Sequence, residues 1–241
     1  AEAHTTAGRV RFLFDWDWRG AEDCLTRAVA LDPSSGQTHW MLGHAVSQQG
    51  RHHEALAAAR RARELDPLDA LTHSMSAQIA FSARDLDAAV QHSRDALRAE
   101  PEFWVASWQL GQAYQQMGHT DEALEALAEA SRLSNGNSKP VSVSAYVLAS
   151  CGRVDEARDF LTGLEQASER RYVPPYAIAL VHAGLNDEVK AFEWLDKALA
   201  ARDSHLIYVL VDPKWDRFRQ DERFQQFLRR CGLVEASSTR D

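Results

Sequence analysis

The sequence predicts an all-α protein, a right-handed α–α superhelix of six 34-residue helix–turn–helix repeats followed by a C-terminal capping helix. The first observation is a column of alanines spaced 34 residues apart, Ala21, Ala55, Ala89, Ala123, Ala157 and Ala191. A second, mostly alanine column keeps the same spacing at Ala28, Ala62, Ala96, Ala130, Leu164 and Ala198. Prolines repeat at the same interval at Pro33, Pro67 and Pro101. Because a unit of this length cannot bury its apolar face alone, the copies are expected to stack into one array.

Each repeat is expected to contain a helix A and a helix B. The expected repeat boundaries are 2–35, 36–69, 70–103, 104–137, 138–171 and 172–203. Within helix A, small residues recur where the two helices of a repeat approach most closely, at Gly43, Ala77, Gly111, Ala145 and Ala179. Small side chains let the helix backbones come close, and larger apolar residues fill the space between them.

Turn and cap residues fit the same phase. One turn position, where a helix C-terminus favours a left-handed residue, is glycine in three repeats, at Gly50, Gly118 and Gly152. Asp69, and Ser34 or Ser35, are the expected N-caps of the A helices that follow them.

The chain is expected to leave the repeat pattern after residue 203. Pro213 prevents a seventh standard A helix because proline lacks a backbone N–H and clashes with the preceding turn. Residues 204–234 are therefore expected to form a capping segment, with Phe224 and Phe227 on the face of a short helix that covers repeat six. Residues 235–241 are expected to be a disordered tail.

The fourth repeat carries the most complete motif, Leu-Gly-x-x-Tyr followed by Ala-x-x-x-Leu-x-x-Ala, which begins at Leu110 and ends at Ala130. This motif resembles the tetratricopeptide repeat signature, and the resemblance extends over residues 2–203. It implies a solenoid in which the A helices form a concave inner wall that binds extended peptides or helices.

Two terminal segments, Phe14–Trp18 and Asp212–Leu228, support a narrower resemblance. They are similar to the tetratricopeptide arrays that follow adenylate-cyclase, kinase or winged-helix domains in bacterial regulators. The resemblance implies the regulatory part of a larger bacterial signalling protein. Because the chain begins in phase with a repeat, we expect it to be a domain that has been separated from an upstream partner domain.

Composition narrows the class of partner. A net charge of −8 argues against nucleic-acid binding, which needs clustered Lys and Arg, and it leaves room for neutral or basic partners.

The three cysteines are scattered and odd in number, which indicates a reducing compartment. With no signal-peptide pattern, the expected location is cytoplasmic. No apolar run of about 18 residues occurs, so no membrane association is expected.

Motifs for chemistry are missing. The sequence has no phosphate-binding loop, dinucleotide fingerprint or nucleophile elbow, so neither an enzyme nor a cofactor is expected. His52 and His53 suggest a metal site, but adjacent side chains on a helix diverge by about 100°, and no other histidine lies three or four residues from either. None of the ten histidines forms such a pair, so no metal site is expected in the sequence.

The concave groove contains the candidate functional residues. The inward-facing positions of the A helices carry aromatic and amide side chains with almost no charge. The candidate partner-binding residues are Trp40, His44, Gln78, Phe81, Trp108, Gln112, Gln115, Tyr146 and Tyr176. Aromatic rings offer a large contact area, and glutamine amides can pair with an extended backbone. The sequence does not decide whether these aromatic rings face a partner or pack against neighbouring A helices.

These observations predict a non-catalytic protein–protein interaction module that binds a protein or peptide, or its own upstream domain, in the concave groove. Two alternatives remain open. One is a small-molecule sensor that controls an attached effector domain, and the other is a self-associating scaffold that forms oligomers. An enclosed pocket with converging polar groups would favour the sensor, and an open groove would favour a peptide.

Overall fold

A computed structural model describes residues 1–234, and over that range the chain contains helices and no strands. Twelve helices form six consecutive pairs: α1 (Glu2–Val10) and α2 (Trp18–Leu31), α3 (Gly36–Ser47) and α4 (His52–Leu65), α5 (Ala70–Ser82) and α6 (Leu86–Ala99), α7 (Trp104–Met117) and α8 (Thr120–Leu133), α9 (Ser138–Ser150) and α10 (Val154–Ser168), α11 (Pro175–Gly184) and α12 (Glu188–Ala200). A π-helical turn, Arg11–Asp15, follows α1. Two 3-10 helices, Ser204–Tyr208 and Pro213–Phe218, precede α13, Glu222–Arg230. The predicted all-α repeat array is confirmed, and the predicted tail, 235–241, lies outside the described residues.

Both alanine columns are buried where the helices of a repeat meet. The first column is at most 1 % exposed at every member, from Ala21 to Ala191. Gly111 shows how close the helices come, because a Cβ at that position would lie 2.6 Å from Leu127 Cγ. Contact at that distance would force the helices apart. Close packing within each repeat therefore explains why small residues recur every 34 residues.

The helix ends use the expected caps. Asp69 Oδ2 accepts from the backbone N–H of Thr72 at 2.6 Å, and Ser35 Oγ accepts from the N–H of Thr38 at 3.3 Å. Ser35, rather than Ser34, is therefore the cap of α3. Gly118 ends α7 with a φ of 80°, the left-handed conformation that glycine adopts without strain.

The residues after α12 differ from the expected simple cap. Helix α13 does contact repeat six, since Arg230 pairs with Asp196 at 2.6 Å and Arg223 pairs with Glu188 at 3.1 Å. The preceding residues 204–219, which we call the return segment, instead run back along the inner surface formed by the A helices. Its two 3-10 helices bury Ile207 beside Trp40 of repeat two and Trp215 beside Tyr176 of repeat six.

Candidate functional site

The inner surface is covered by the chain itself. Of the nine candidate residues, seven are buried and are at most 9 % exposed: Trp40, His44, Gln78, Phe81, Trp108, Gln112 and Tyr176. Gln115 and Tyr146 are half-buried. Most of these side chains pack against the return segment or against one another, whereas Gln115 only accepts a hydrogen bond from its neighbour Gln116 at 2.8 Å.

A polar cluster joins the return segment to repeats three and four. The ammonium of Lys214 donates to Gln112 Oε1 at 2.7 Å and lies 2.9 Å from Asp212 Oδ1. Gln112 donates to Gln109 Oε1 at 3.2 Å, and Gln109 donates to Gln78 Oε1 at 2.7 Å. Burial lowers the pKa of Lys214, and the nearby Asp212 opposes that shift. The glutamines of the inner surface therefore form a chain of amides that ends on a buried lysine of the return segment.

An aromatic cluster joins the return segment to repeats five and six. The indole N–H of Trp215 donates to the Tyr176 hydroxyl at 2.8 Å, and that hydroxyl donates to Asp212 Oδ2 at 3.2 Å. The hydroxyl of Tyr146 donates to the backbone carbonyl of Lys214 at 3.4 Å. Burial raises the pKa of Tyr176 well above its usual value, so this hydroxyl remains a donor at neutral pH.

Two arginines connect distant parts of the chain at the edges of the inner surface. Arg84, in the turn between α5 and α6, donates to the backbone carbonyl of Val211 at 2.6 Å and pairs with Asp216 at 2.8 Å. Arg202 donates to the carbonyl of Asp15 at 3.2 Å, and its guanidinium lies 5.2 Å from the centre of the Trp16 ring. Arg84 thus holds the return segment to repeat three, and Arg202 holds the end of repeat six to the turn of repeat one.

An unfilled space remains between repeats one, two, three and five and the return segment. Its volume is about 270 Å³, and its charged lining residues are Arg9 and Lys139, with no acidic residue. Lys139 forms no ion pair with another described residue, and its ammonium lies 5.2 Å from the centre of the Trp108 ring. Burial lowers the pKa of Lys139, and burial together with the Lys139 charge lowers the pKa of His44 to about 4. His44 Nε2 is buried and has no hydrogen-bond partner among the described residues.

A second cluster lies between α5 and α6, away from the inner surface. Ligand-type atoms of His73, His92 and Asp95 all lie within 4.8 Å of one another. His52 and His53, the pair considered from the sequence, are not part of it. Sequence reasoning missed this cluster because it compared histidines within one helix, and these residues come from two.

None of the helices over residues 1–234 is both long enough and apolar enough to cross a membrane.

Two family models of the tetratricopeptide repeat match the chain. One matches residues 76–211, and the other matches residues 16–70 and 40–103. The first match alone covers more than half of the 241 residues. The chain therefore belongs to the tetratricopeptide repeat family, a scaffold-type fold that is typically non-catalytic and serves as a protein–protein interaction module.

Two curated proteins are similar in sequence to part of the chain. Anaphase-promoting complex subunit 3 of Schizosaccharomyces pombe is 23 % identical over 184 residues, which are 76 % of this chain and 28 % of the relative. Cytochrome c-type biogenesis protein CycH of Rhizobium meliloti is 42 % identical over 50 residues, which are 21 % of this chain and 13 % of the relative. The chain therefore spans less than a third of the length of either relative.

Solved structures with the same architecture share little sequence identity with the chain. A thermophilic tetratricopeptide protein from Thermus thermophilus has a TM-score of 0.64 at 21 % identity, covering 70 % of this chain and 92 % of its own. PilF of Pseudomonas aeruginosa has a TM-score of 0.60 at 18 % identity, and the match covers 86 % of this chain and 94 % of PilF. MamA has a TM-score of 0.54 at 21 % identity, and the match covers 67 % of this chain and 94 % of MamA. At these identities the likeness shows the fold alone.

Proposed function

We propose that this interaction module binds its partner on the inner surface and that the return segment, residues 204–219, is an intramolecular ligand which the partner must displace. The observation that carries the proposal is that candidate groove residues bind this segment directly. Gln112 accepts from Lys214, Tyr176 donates to Asp212, and Tyr146 donates to the backbone of the segment.

The contacts to the return segment are of the kind that holds a bound peptide. Two side chains of the array, Arg84 and Tyr146, donate to backbone carbonyls of the segment, and apolar side chains of the segment fill gaps between the A helices. Residues 204–219 contain three basic residues (Lys214, Arg217 and Arg219) and two acidic residues (Asp212 and Asp216). The bound segment is thus weakly basic, which fits the neutral or basic partner predicted from the acidic composition.

Weakening the hold on the return segment should make the inner surface available to a competitor. In Asp216→Asn, the segment loses its ion pair with Arg84, while Arg84 itself is kept for a competing peptide. An exposed ion pair of this kind contributes about 0.5–1 kcal/mol, so the released state should become roughly two- to fivefold more populated. A fluorescein-labelled synthetic peptide of the wild-type residues 204–219 should then bind the variant roughly two- to fivefold more tightly than wild type in an anisotropy titration.

The matched control is Asp155→Asn, because Asp155 pairs with Arg158 of its own helix and has no hydrogen bond to the return segment. It should behave as wild type. If Asp216→Asn binds the peptide no more tightly than wild type and Asp155→Asn do, the inner surface is not the binding surface.

A small-molecule sensor is the second candidate function, and the 270 Å³ space is the observation that favours it. The space combines a cation without an acidic partner, Lys139, with apolar walls that include Phe12, Trp40 and Met75. Such a lining suits a small organic anion with an aromatic body, because the anion would restore the charge balance of Lys139.

Indole-3-acetate, with its neutral amide as the comparison ligand, is a suitable probe for this space. Calorimetry should show that the protein binds the acid more tightly than the amide. Lys139→Met should lower the affinity for the acid by roughly tenfold or more. Lys190→Met removes the same charge from an exposed site and should leave affinity unchanged. Equal affinity for acid and amide, or equal loss in both variants, would remove this candidate.

We further propose that the module is the regulatory part of a larger bacterial signalling protein in the cytoplasm. The support is the resemblance carried by Phe14–Trp18 and Asp212–Leu228, the first of which is bonded to Arg202. The complete gene product tests this directly, since an effector domain within it would support the proposal and its absence would refute it. A concentration series of mass measurements on the same product tests the self-associating alternative.

A further inference from the structure

The histidine–aspartate cluster of repeat three has the geometry of a metal coordination site. Asp95 Oδ2 lies 3.9 Å from His73 Nδ1 and 3.8 Å from His92 Nδ1. Both Nδ1 atoms are buried and have no hydrogen-bond partner among the described residues. Buried nitrogens without a partner cost free energy, so their convergence on one carboxylate oxygen calls for an explanation such as an ion.

The outer contacts of the cluster orient these atoms for binding. His73 Nε2 lies 2.9 Å from the carbonyl of Pro67, which can only accept, so the proton is on Nε2 and Nδ1 carries a lone pair. Asp95 Oδ1 accepts from Gln91 at 3.1 Å and from Arg98, which leaves Oδ2 directed at the histidines. Metal ligands in proteins are commonly oriented by such carbonyl and side-chain contacts.

The other repeats show that this set is not a requirement of the fold. In repeat two, His39 keeps the equivalent bond to a proline carbonyl, at 3.1 Å from Pro33, but Ala58 and Arg61 occupy the positions of His92 and Asp95. In repeat four the three positions are Ser107, Ala126 and Glu129. Only repeat three among these combines all three ligands, so helix packing alone does not account for them.

We propose that His73, His92 and Asp95 bind one zinc ion, with a fourth coordination position open to water or to a group from a partner. Two imidazoles and one carboxylate suit zinc, whereas magnesium and calcium prefer oxygen ligands. Zinc bonds to these atoms are about 2.0–2.2 Å long, and in a tetrahedral site they place neighbouring ligand atoms roughly 3.3–3.6 Å apart. The separations of 3.8 and 3.9 Å between Asp95 Oδ2 and the two Nδ1 atoms therefore need to shorten by only a few tenths of an ångström.

One nearby charge affects the affinity. The Arg63 guanidinium acts electrostatically on the His92 ring, so it lies near the proposed ion. The same guanidinium repels a divalent cation. Replacing Arg63 with glutamine should therefore strengthen zinc binding, a response that non-specific binding elsewhere would not show.

The test uses the full chain after treatment with a chelator. Equilibrium dialysis should show one zinc per chain, and the melting temperature should rise by ~5–10 °C when free zinc exceeds the dissociation constant about 100-fold. Magnesium at the same concentration should have no effect. His92→Gln and Asp95→Asn should lose the bound zinc, and Arg63→Gln should bind it more tightly than wild type.

His39→Gln is the matched control, because His39 occupies the same repeat position without the other two ligands. It should keep the zinc stoichiometry of wild type. The dialysis reading is independent of any change in stability that a substitution causes. Absence of stoichiometric zinc in wild type, or its retention in both His92→Gln and Asp95→Asn, would overturn the proposal.

Discussion

Replacing Trp215 with alanine should lower the free energy of unfolding by about 3–5 kcal/mol, the usual cost of removing a large aromatic side chain from a core. Trp215 has no exposed surface, and its ring lies 5.8 Å from that of Tyr176 and 6.1 Å from that of Phe224. The substitution leaves a cavity and deprives the Tyr176 hydroxyl of a donor. Urea unfolding followed by circular dichroism measures the loss.

Tyr172→Ala provides the control, since Tyr172 is an aromatic residue that is 68 % exposed. That variant should stay within about 0.5 kcal/mol of wild type. A Trp215→Ala protein as stable as Tyr172→Ala would mean that the return segment contributes nothing to the fold and does not lie on the inner surface.

The second large effect is expected at the buried ion pair of the return segment. Asp212→Ala should destabilise the protein by about 3–5 kcal/mol, because it leaves the Lys214 ammonium buried without a counter-charge. The aspartate also caps the second 3-10 helix by accepting from the backbone N–H of Lys214 at 3.0 Å. The same urea experiment measures the effect.

The double variant Asp212→Ala with Lys214→Met separates the buried charge from the packing and the cap. Removing both charges avoids the unpaired ammonium, so the double variant should recover most of the lost stability. If it is as unstable as Asp212→Ala, the loss comes from packing or from the cap and the ion-pair explanation is wrong.

The sequence predicted the repeat array well because the array is made by close packing at a fixed interval. Ala89 and Ala123 are buried for the same geometric reason as the other members of their column, so the period is visible in the residues. The same 34-residue interval predicted which residues of the A helices face the inner surface. Gln112 and Tyr176 do contact a bound segment.

The identity of that segment could not be predicted from a period. Residues 204–219 form two 3-10 helices of five and six residues, which are too short to show a hydrophobic repeat. Their position on the inner surface depends on contacts across more than one hundred residues, such as that between Arg84 and Val211. The sequence predicted that Phe224 and Phe227 lie on a face that covers repeat six, but it did not predict that Trp215 and Phe218 pack on the inner surface.

The histidine cluster was missed for a different reason. A search at three or four residues along one helix cannot detect His73 with His92, because the pair bridges α5 and α6. Aligning the repeats would have provided a signal, since His92 replaces an alanine and Asp95 an arginine relative to repeat two.

Hydrogen–deuterium exchange of the full chain, read by mass spectrometry over residues 204–219, shows whether the return segment lies on the inner surface. We expect protection of its backbone amides comparable to that of the A helices, and a marked loss of protection in Arg84→Asn, which removes the bonds to Val211 and Asp216. Arg132→Asn should keep the protection of wild type, because Arg132 is bonded to Glu129 of its own helix. Exchange of these amides in wild type at the rate of an unstructured peptide would contradict this placement, because the segment would then be free in solution and the inner surface open.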